Sequence, residues 1–448
     1  MTATPSNRLE AIRIAVPGDA VPDTATLLDR AASDEVFVWE QPAAQTSVVG
    51  IGIARHFSVS GCDRFAEAEA AARELFAELA VHGDAAPPDG GPLLVGGFAF
   101  GQERAPGTAW RGFPPGRLVL PRILVARRGD RAWVTFAGPS GGRAAREREL
   151  RNLLGGPVPT TAAAPGAAPK PAPRFFASAD GPHAHFHALV ENALAAIRRG
   201  EFEKVVVARS VRLHHSDAFR EADVVDRLRR TYPSSTTFAV VRCGGGAFVG
   251  ATPERLVRLH AGLVEAAAVA GSAPRGRNPE EDARLARALR ESKKEQAEHA
   301  IVVRGVREAL AGVCTALRSP ESPRLQKLES IQHLETPVRG VLRGEHSVLR
   351  LVERLHPTPA VGGAPSAAAL AWIARHEGLE RGWYAGPVGW IDATGDGEFA
   401  VALRCALLRN REARLFAGAG IVDGSEPEAE LNETRLKFRA FLGPLLEI

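Results

Sequence analysis

This chain is short of lysine. Only six of its 56 basic residues are lysine (Lys170, Lys204, Lys293, Lys294, Lys327, Lys437), and the other fifty are arginine. Arginine serves wherever a fixed positive charge suffices, so a lysine inside an apolar segment raises the question of what arginine could not do there. The chemical answer is that lysine can give up a proton. Cysteine is scarce too: Cys62, Cys243, Cys314 and Cys405 are too far apart in sequence for a metal knuckle and too few for a disulfide framework, which leaves small buried hydrophobes. No run of 18 apolar residues occurs, and the polar, proline-bearing stretch 1–20 lacks the apolar core of a signal peptide. No membrane partner and a cytoplasmic location are therefore expected. The chain has no Gly-x-x-x-x-Gly-Lys-Ser/Thr loop for phosphoryl transfer and no basic cluster interleaved with aromatics for nucleic acid.

What remains is ordinary globular material, 448 residues with 45% hydrophobic and 24% charged side chains, whose net charge of +4 suits an anionic small molecule. Residues 1–155 read as an N-terminal α/β region packing on the core, with a helix over 64–81 and strands near 92–100, 117–126 and 131–136. Residues 156–175, rich in Ala, Pro, Thr and Gly, read as a linker or exposed loop, and 176–448 as the catalytic domain. In the latter, groups of antiparallel strands alternate with helices, which predicts an α+β fold. Lys204 opens a β-branched strand over 204–213, and Thr252-Pro253-Glu254 makes a tight corner between strands. On a helix expected over 293–313, Glu298 lies one turn before Val302, Val306, Ala309 and Leu310, continuing an apolar stripe. An unpaired charge is expensive there.

The densest signal is Leu415 to Lys437. An apolar strand carrying Gly418 and Gly420 offers bare backbone amides, Asp423-Gly424 turns the chain, and Ser425 with Glu428 reads as a capping box opening a helix with Pro427 in its first turn. Glu430, Glu433 and Lys437 then share one helical face. A solvated stripe stapled by Glu433 and Lys437 is the plain reading. The glycine strand before it favours the alternative, a divalent cation held by glutamates beside an anion held by amides.

Nine segments in order resemble the chorismate-utilising enzyme family over roughly 180–445: Glu203-Lys204-Val-Val-Val-Ala-Arg, Gly250-Ala-Thr-Pro-Glu254, Ala270-Gly-Ser-Ala-Pro, Ala297-Glu298-His299, Ile331-Gln-His333-Leu, His356-Pro-Thr-Pro, Trp383-Tyr-Ala-Gly-Pro, Val401-Ala-Leu-Arg404 and Ala417-Gly-Ala-Gly through Glu430-Leu-Asn-Glu433. The resemblance implies two large antiparallel β-sheets packed together with helices outside. It also implies a Mg²⁺ cofactor on Glu298, Glu430 and Glu433, Lys204 as the general base for water adding at C2 of chorismate, and Glu254 as the general acid for the departing C4 hydroxyl. Arg404, Tyr384, Lys437 and the amides of Gly418 and Gly420 would hold the substrate carboxylates, with Gly271, Ser272 and His333 lining the site. The base role requires burial and neighbouring cations to draw the Lys204 pKa down. Read without the family, Lys204 is a strand-end lysine in solvent, Glu254 a corner glutamate pairing with Arg255, Glu298 a carboxylate bridged to an arginine, and His333 a satisfied core histidine.

Within the family the sequence looks most like isochorismate synthases. Relatives that use ammonia lack the base lysine, so no glutamine amidotransferase subunit is expected. A monomer is the expected state. Salicylate-forming relatives, which also eliminate pyruvate, carry threonine where Ala360 stands. A non-catalytic binding or regulatory protein would have no need of an acid and a base together.

Overall fold

The computed structural model describes residues 9–102, 107, 109–140, 148, 149, 153, 155 and 174–446, so the expected linker 156–175 falls almost wholly outside the described residues. Two large sheets dominate. The larger runs, in spatial order, Phe175–Ala179, Lys204–His215, Glu412–Ile421, Cys405–Arg409, Gly246–Thr252, Thr236–Arg242, Val36–Gln41, Thr46–Ile51, Ile123–Arg128, Arg131–Pro139, Leu9–Pro17 and Ala80–Gly83, with the short Gly363–Ala364 pairing against Lys204–His215. The smaller runs Cys314–Arg318, Ile331–Leu342, Leu263–Pro274, Arg255–His260, Gly397–Val401, Pro387–Asp392, Leu93–Phe98, Gly116–Leu120 and Arg55–Val59, with Arg324–Lys327 beside Ile331–Leu342. Pairing is antiparallel throughout except between Leu9–Pro17 and Ala80–Gly83. The α+β expectation holds.

One apolar core, including Phe98, Phe238, Phe248, Trp383 and Phe399, joins side chains of both sheets. A second, including Leu28, Val225 and Phe441, lies under helices on the outer face of the larger sheet. The helices Lys293–Ala311 and Val348–Leu355 cover the smaller sheet, whereas Pro427–Leu446 and Glu221–Thr231 cover the larger. Strands from the N-terminal region are sewn into both sheets: Val36–Gln41 pairs with Thr236–Arg242, and Leu93–Phe98 with Pro387–Asp392.

Sequence periodicity identified strands without showing which sheet each joins. The apolar stretch 397–409 divides into two strands, Gly397–Val401 in the smaller sheet and Cys405–Arg409 in the larger. The chain makes the reverse crossing between Gly246–Thr252 and Arg255–His260. These two crossings run side by side: Val401 N donates to Glu254 O at 3.0 Å, Ala251 N to Arg404 O at 3.1 Å, and Thr252 Oγ1 to Val401 O at 2.6 Å. The helix expected over 64–81 stops at Glu78, because Ala80–Gly83 is drawn into the larger sheet.

Candidate active site

The paired crossings place Glu254 and Arg404 at the seam between the sheets. Arg404 sits at the turning point with φ +47°, a left-handed conformation that costs a non-glycine residue energy and is held by the surrounding bonds. Glu254 is buried, and burial pushes its carboxyl up to about 7 despite the opposing charges of Lys204, Arg404 and Lys437. It does not pair with Arg255, which reaches Glu398 at 2.8 Å instead.

Lys204 is fully buried at the start of its strand, with Nζ 2.8 Å from Glu298 Oε1. Glu298 is buried in line with Val302, Val306 and Leu310, so its partner is this lysine and not an arginine. Both groups pack against Gly420, where a Cβ would fall 2.1 Å from Glu298 Oε1 and 2.9 Å from Lys204 Cε. Only a glycine leaves that space.

On Pro427–Leu446 the expected stripe forms. Glu433 Oε1 lies 2.6 Å from Lys437 Nζ, which also donates to Gly418 O at 2.7 Å. In an extended strand a residue's N–H lies on the same side as its C=O, so the Gly418 amide, and that of Gly420 two residues on, face the same edge. The capping box is corrected: the helix begins at Pro427, Ser425 Oγ accepts from Val422 N at 3.3 Å, and Glu428 reaches Arg435 and His187. The buried serine closes the turn, so it is not available to cap.

His333, Ser272 and Gly271 come from the smaller sheet. Gly271 has φ +77° at a register shift between Ala270 and Ser272, a bulge that suits glycine. His333 Nδ1 lies 3.2 Å from Gly271 O and 3.0 Å from Ser272 Oγ, and its Nε2 lies 3.2 Å from Arg404 Nη2. Burial, reinforced by the charges of Arg404 and Lys437, lowers this imidazole to about 3. The neutral ring can therefore donate from Nδ1 to the carbonyl and accept from Arg404 at Nε2. It is a satisfied core histidine that also orients the guanidinium. Tyr384 stacks on Phe416 at 5.2 Å, and burial raises its hydroxyl well above the ordinary value.

Nothing in the local sequence singles out Lys294. Its Nζ lies 2.7 Å from Glu430 Oε1 and 3.2 Å from Glu295 Oε1. A Lys-Lys-Glu run at a helix start reads as solvent-facing, and only the fold turns it inward. A second omission is the buried Arg381, which binds Glu377, Val361 O and Val206 O and so ties the Lys204 strand to the 356–365 loop.

A magnesium-type donor set calls for hard oxygens with unmet demand. Glu430 fits: both its oxygens are buried with no hydrogen bond of good geometry, the Lys294 ammonium approaching to 2.7 Å and the Ser425 hydroxyl lying beside them. Burial and then the Glu433 carboxylate raise Glu430 to about 7. Burial works the same way on Glu433, but Lys437 and Lys294 overcome it and hold that carboxyl below its usual range. Glu295 feels both Glu298 and Glu433, which sets all these carboxylates in one neighbourhood. Among the described residues, however, no three such groups converge closely enough as they stand to hold a metal. A cavity of about 1150 Å³ lies elsewhere, along Glu69, His260, His346 and Asp392. The site itself is filled by its own ion pairs.

The sequence matches the chorismate binding enzyme family over residues 4–446, and the chain belongs to that family. It is 39% identical over 416 residues to the salicylate biosynthesis isochorismate synthase of Pseudomonas aeruginosa, covering 90% of this chain and 83% of the relative. It is 33% identical over 418 residues to isochorismate synthase MenF of Bacillus subtilis, covering 91% and 87%. Among solved structures, the menaquinone-specific isochorismate synthase from Escherichia coli superposes with a TM-score of 0.79 at 26% identity, over 98% of this chain and 94% of that one. No helix among the described residues is long and apolar enough to cross a membrane.

Proposed function

We propose that this protein converts chorismate to isochorismate in a Mg²⁺-dependent, reversible isomerisation. The observation that carries the reading is the seam itself, where a fully buried lysine and a buried carboxyl raised to about 7 share one enclosed, cation-lined site. In the proposed step, Lys204 Nζ in its neutral form takes a proton from the water whose oxygen bonds to C2. The ring double bond shifts, and the C4–O bond breaks as Glu254 gives its proton to the leaving hydroxyl, which departs as water. One water enters and one leaves, so substrate and product are isomers. Arg404, held by His333, supplies a planar donor fork for a carboxylate, with Lys437, Tyr384 and the Gly418 and Gly420 amides beside it. Glu298, Glu430 and Glu433 would hold Mg²⁺, which supplies charge neutralisation for a substrate carboxylate.

The name of the Pseudomonas relative keeps a second reading in view, in which the site also eliminates pyruvate to give salicylate. Ala360 in place of threonine favours release of isochorismate. Incubating the purified chain with chorismate and Mg²⁺, with and without chelator, and separating the products by chromatography tests both. Isochorismate formed only with Mg²⁺ is the expected result. Salicylate and pyruvate would select the second reading, and unchanged chorismate would end both.

A further inference from the structure

Half of the chain's lysines stand in one place. Lys204 faces Glu298 at 2.8 Å, Lys294 faces Glu430 at 2.7 Å and Lys437 faces Glu433 at 2.6 Å. Each carboxylate assigned above to Mg²⁺ therefore has one ammonium of its own, in a chain that otherwise writes arginine fifty times. The choice has a physical reason: a guanidinium forks around a carboxylate and fixes it bidentately, whereas an ammonium is a compact point charge, closer in size to a small ion. Buried carboxylates packed together would repel one another without a cation, and removing one partner of a buried pair is strongly destabilising.

We infer that Lys294, together with Lys204 and Lys437, is a resident counter-ion of the metal-free site, which gives up its carboxylate when a divalent cation arrives. The inference rests on the Mg²⁺ reading and adds that metal binding is an exchange of ion pairs. Three consequences follow from the geometry. The glutamates stay folded inward without metal, which agrees with their not converging into a ready ligand set. The lysines compete with the metal, so affinity in the absence of substrate is kept low. Taking Glu298 from Lys204 also frees the Lys204 amine for the base role proposed above.

Lys294 is the informative one to change, because no step of the chemistry is assigned to it. Lys294→Met keeps the aliphatic length and removes the competing charge. In calorimetric titration of the substrate-free full-length chain with MgCl₂, this variant should bind roughly tenfold tighter than wild type, ~1.4 kcal/mol. Its metal-free melting temperature should fall, and Mg²⁺ should raise it by more than it raises that of the wild type. Lys294→Arg, which keeps the charge, should bind no tighter than wild type. Should the methionine variant not fold, Lys294→Gln takes its place in the same titration. Unchanged or weaker Mg²⁺ binding, or a fall in melting temperature that Mg²⁺ does not offset, overturns the inference while leaving the Mg²⁺ reading intact. A wild-type chain that neither binds Mg²⁺ nor turns over chorismate removes both.

Discussion

Gly420→Ala is the smallest change that separates folding from chemistry in this site. Its backbone lies in the extended strand paired with Val206, so alanine meets no conformational penalty there. The reduced freedom of the unfolded chain would even favour alanine by ~0.4–1 kcal/mol. Against this, the new methyl carbon would stand 2.1 Å from Glu298 Oε1, 2.9 Å from the Glu298 carboxyl carbon and 2.9 Å from Lys204 Cε. Ordinary carbon–oxygen contact demands that the carboxylate retreat by roughly 1 Å. Because the obstructing atoms are ends of side chains, overpacking should cost near the low end of ~1–3 kcal/mol and the protein should still fold. Displacing the base and its partner by that distance should nonetheless lower turnover about a hundredfold or more. Gly418→Ala is the comparison: its methyl would meet Tyr384 Oη and Val206 Cγ1 at 3.1 Å, with a smaller loss expected. Initial rates of isochorismate formation and thermal melts of both variants provide the check. If Gly420→Ala keeps its rate within about threefold of wild type, the space that Gly420 leaves beside Lys204 and Glu298 is not one that catalysis needs.

Lys204→Ala should abolish turnover while chorismate still binds by calorimetry; full activity would remove the base assignment. Since Glu254 must be protonated to act and is raised to about 7, the wild-type kcat/KM should fall about tenfold per pH unit above that value. Glu254→Gln should lose this limb along with ~10²–10⁴ in rate. A retained alkaline limb in the variant would assign the titration elsewhere. Burial lowers His356 to about 3, so its imidazole stays neutral in the fold while the unfolded chain takes up a proton near 6.5. That stability is present above about 6.5 and is lost as pH falls towards 3, at ~1.4 kcal/mol per pH unit. Denaturant midpoints of His356→Gln should consequently depend less on pH than wild type between about 6.5 and 5; equal slopes would contradict the reading.

The parts of the site that could be read from sequence were those that broke a local rule. Lys204 stood out against a background of arginine, Glu298 against an apolar helical stripe, and the 418–420 glycines against a strand. The fold type followed from alternating periodicities, but sheet membership did not. Periodicity reports which face of a strand is buried and says nothing of which neighbour it meets. Hence the crossings that set Glu254 beside Arg404 were invisible, as was the inward turn of Lys294, whose local sequence is indistinguishable from that of a solvated helix start. Ser425 failed as a cap for a related reason: the motif describes an isolated helix end, and here the tertiary turn claims the hydroxyl first.

The strand Glu412–Ile421 lies between Lys204–His215 and Cys405–Arg409, third from one end of the larger sheet, yet it leaves the ribosome long after the first of these neighbours. Until it arrives, the Lys204 strand has an open flank on that side, and neither Gly420 nor Glu433 is present to complete the pocket. A nascent chain of this protein therefore carries an unfinished sheet for most of its synthesis, and competence for catalysis is acquired in one late event and not built up by stages.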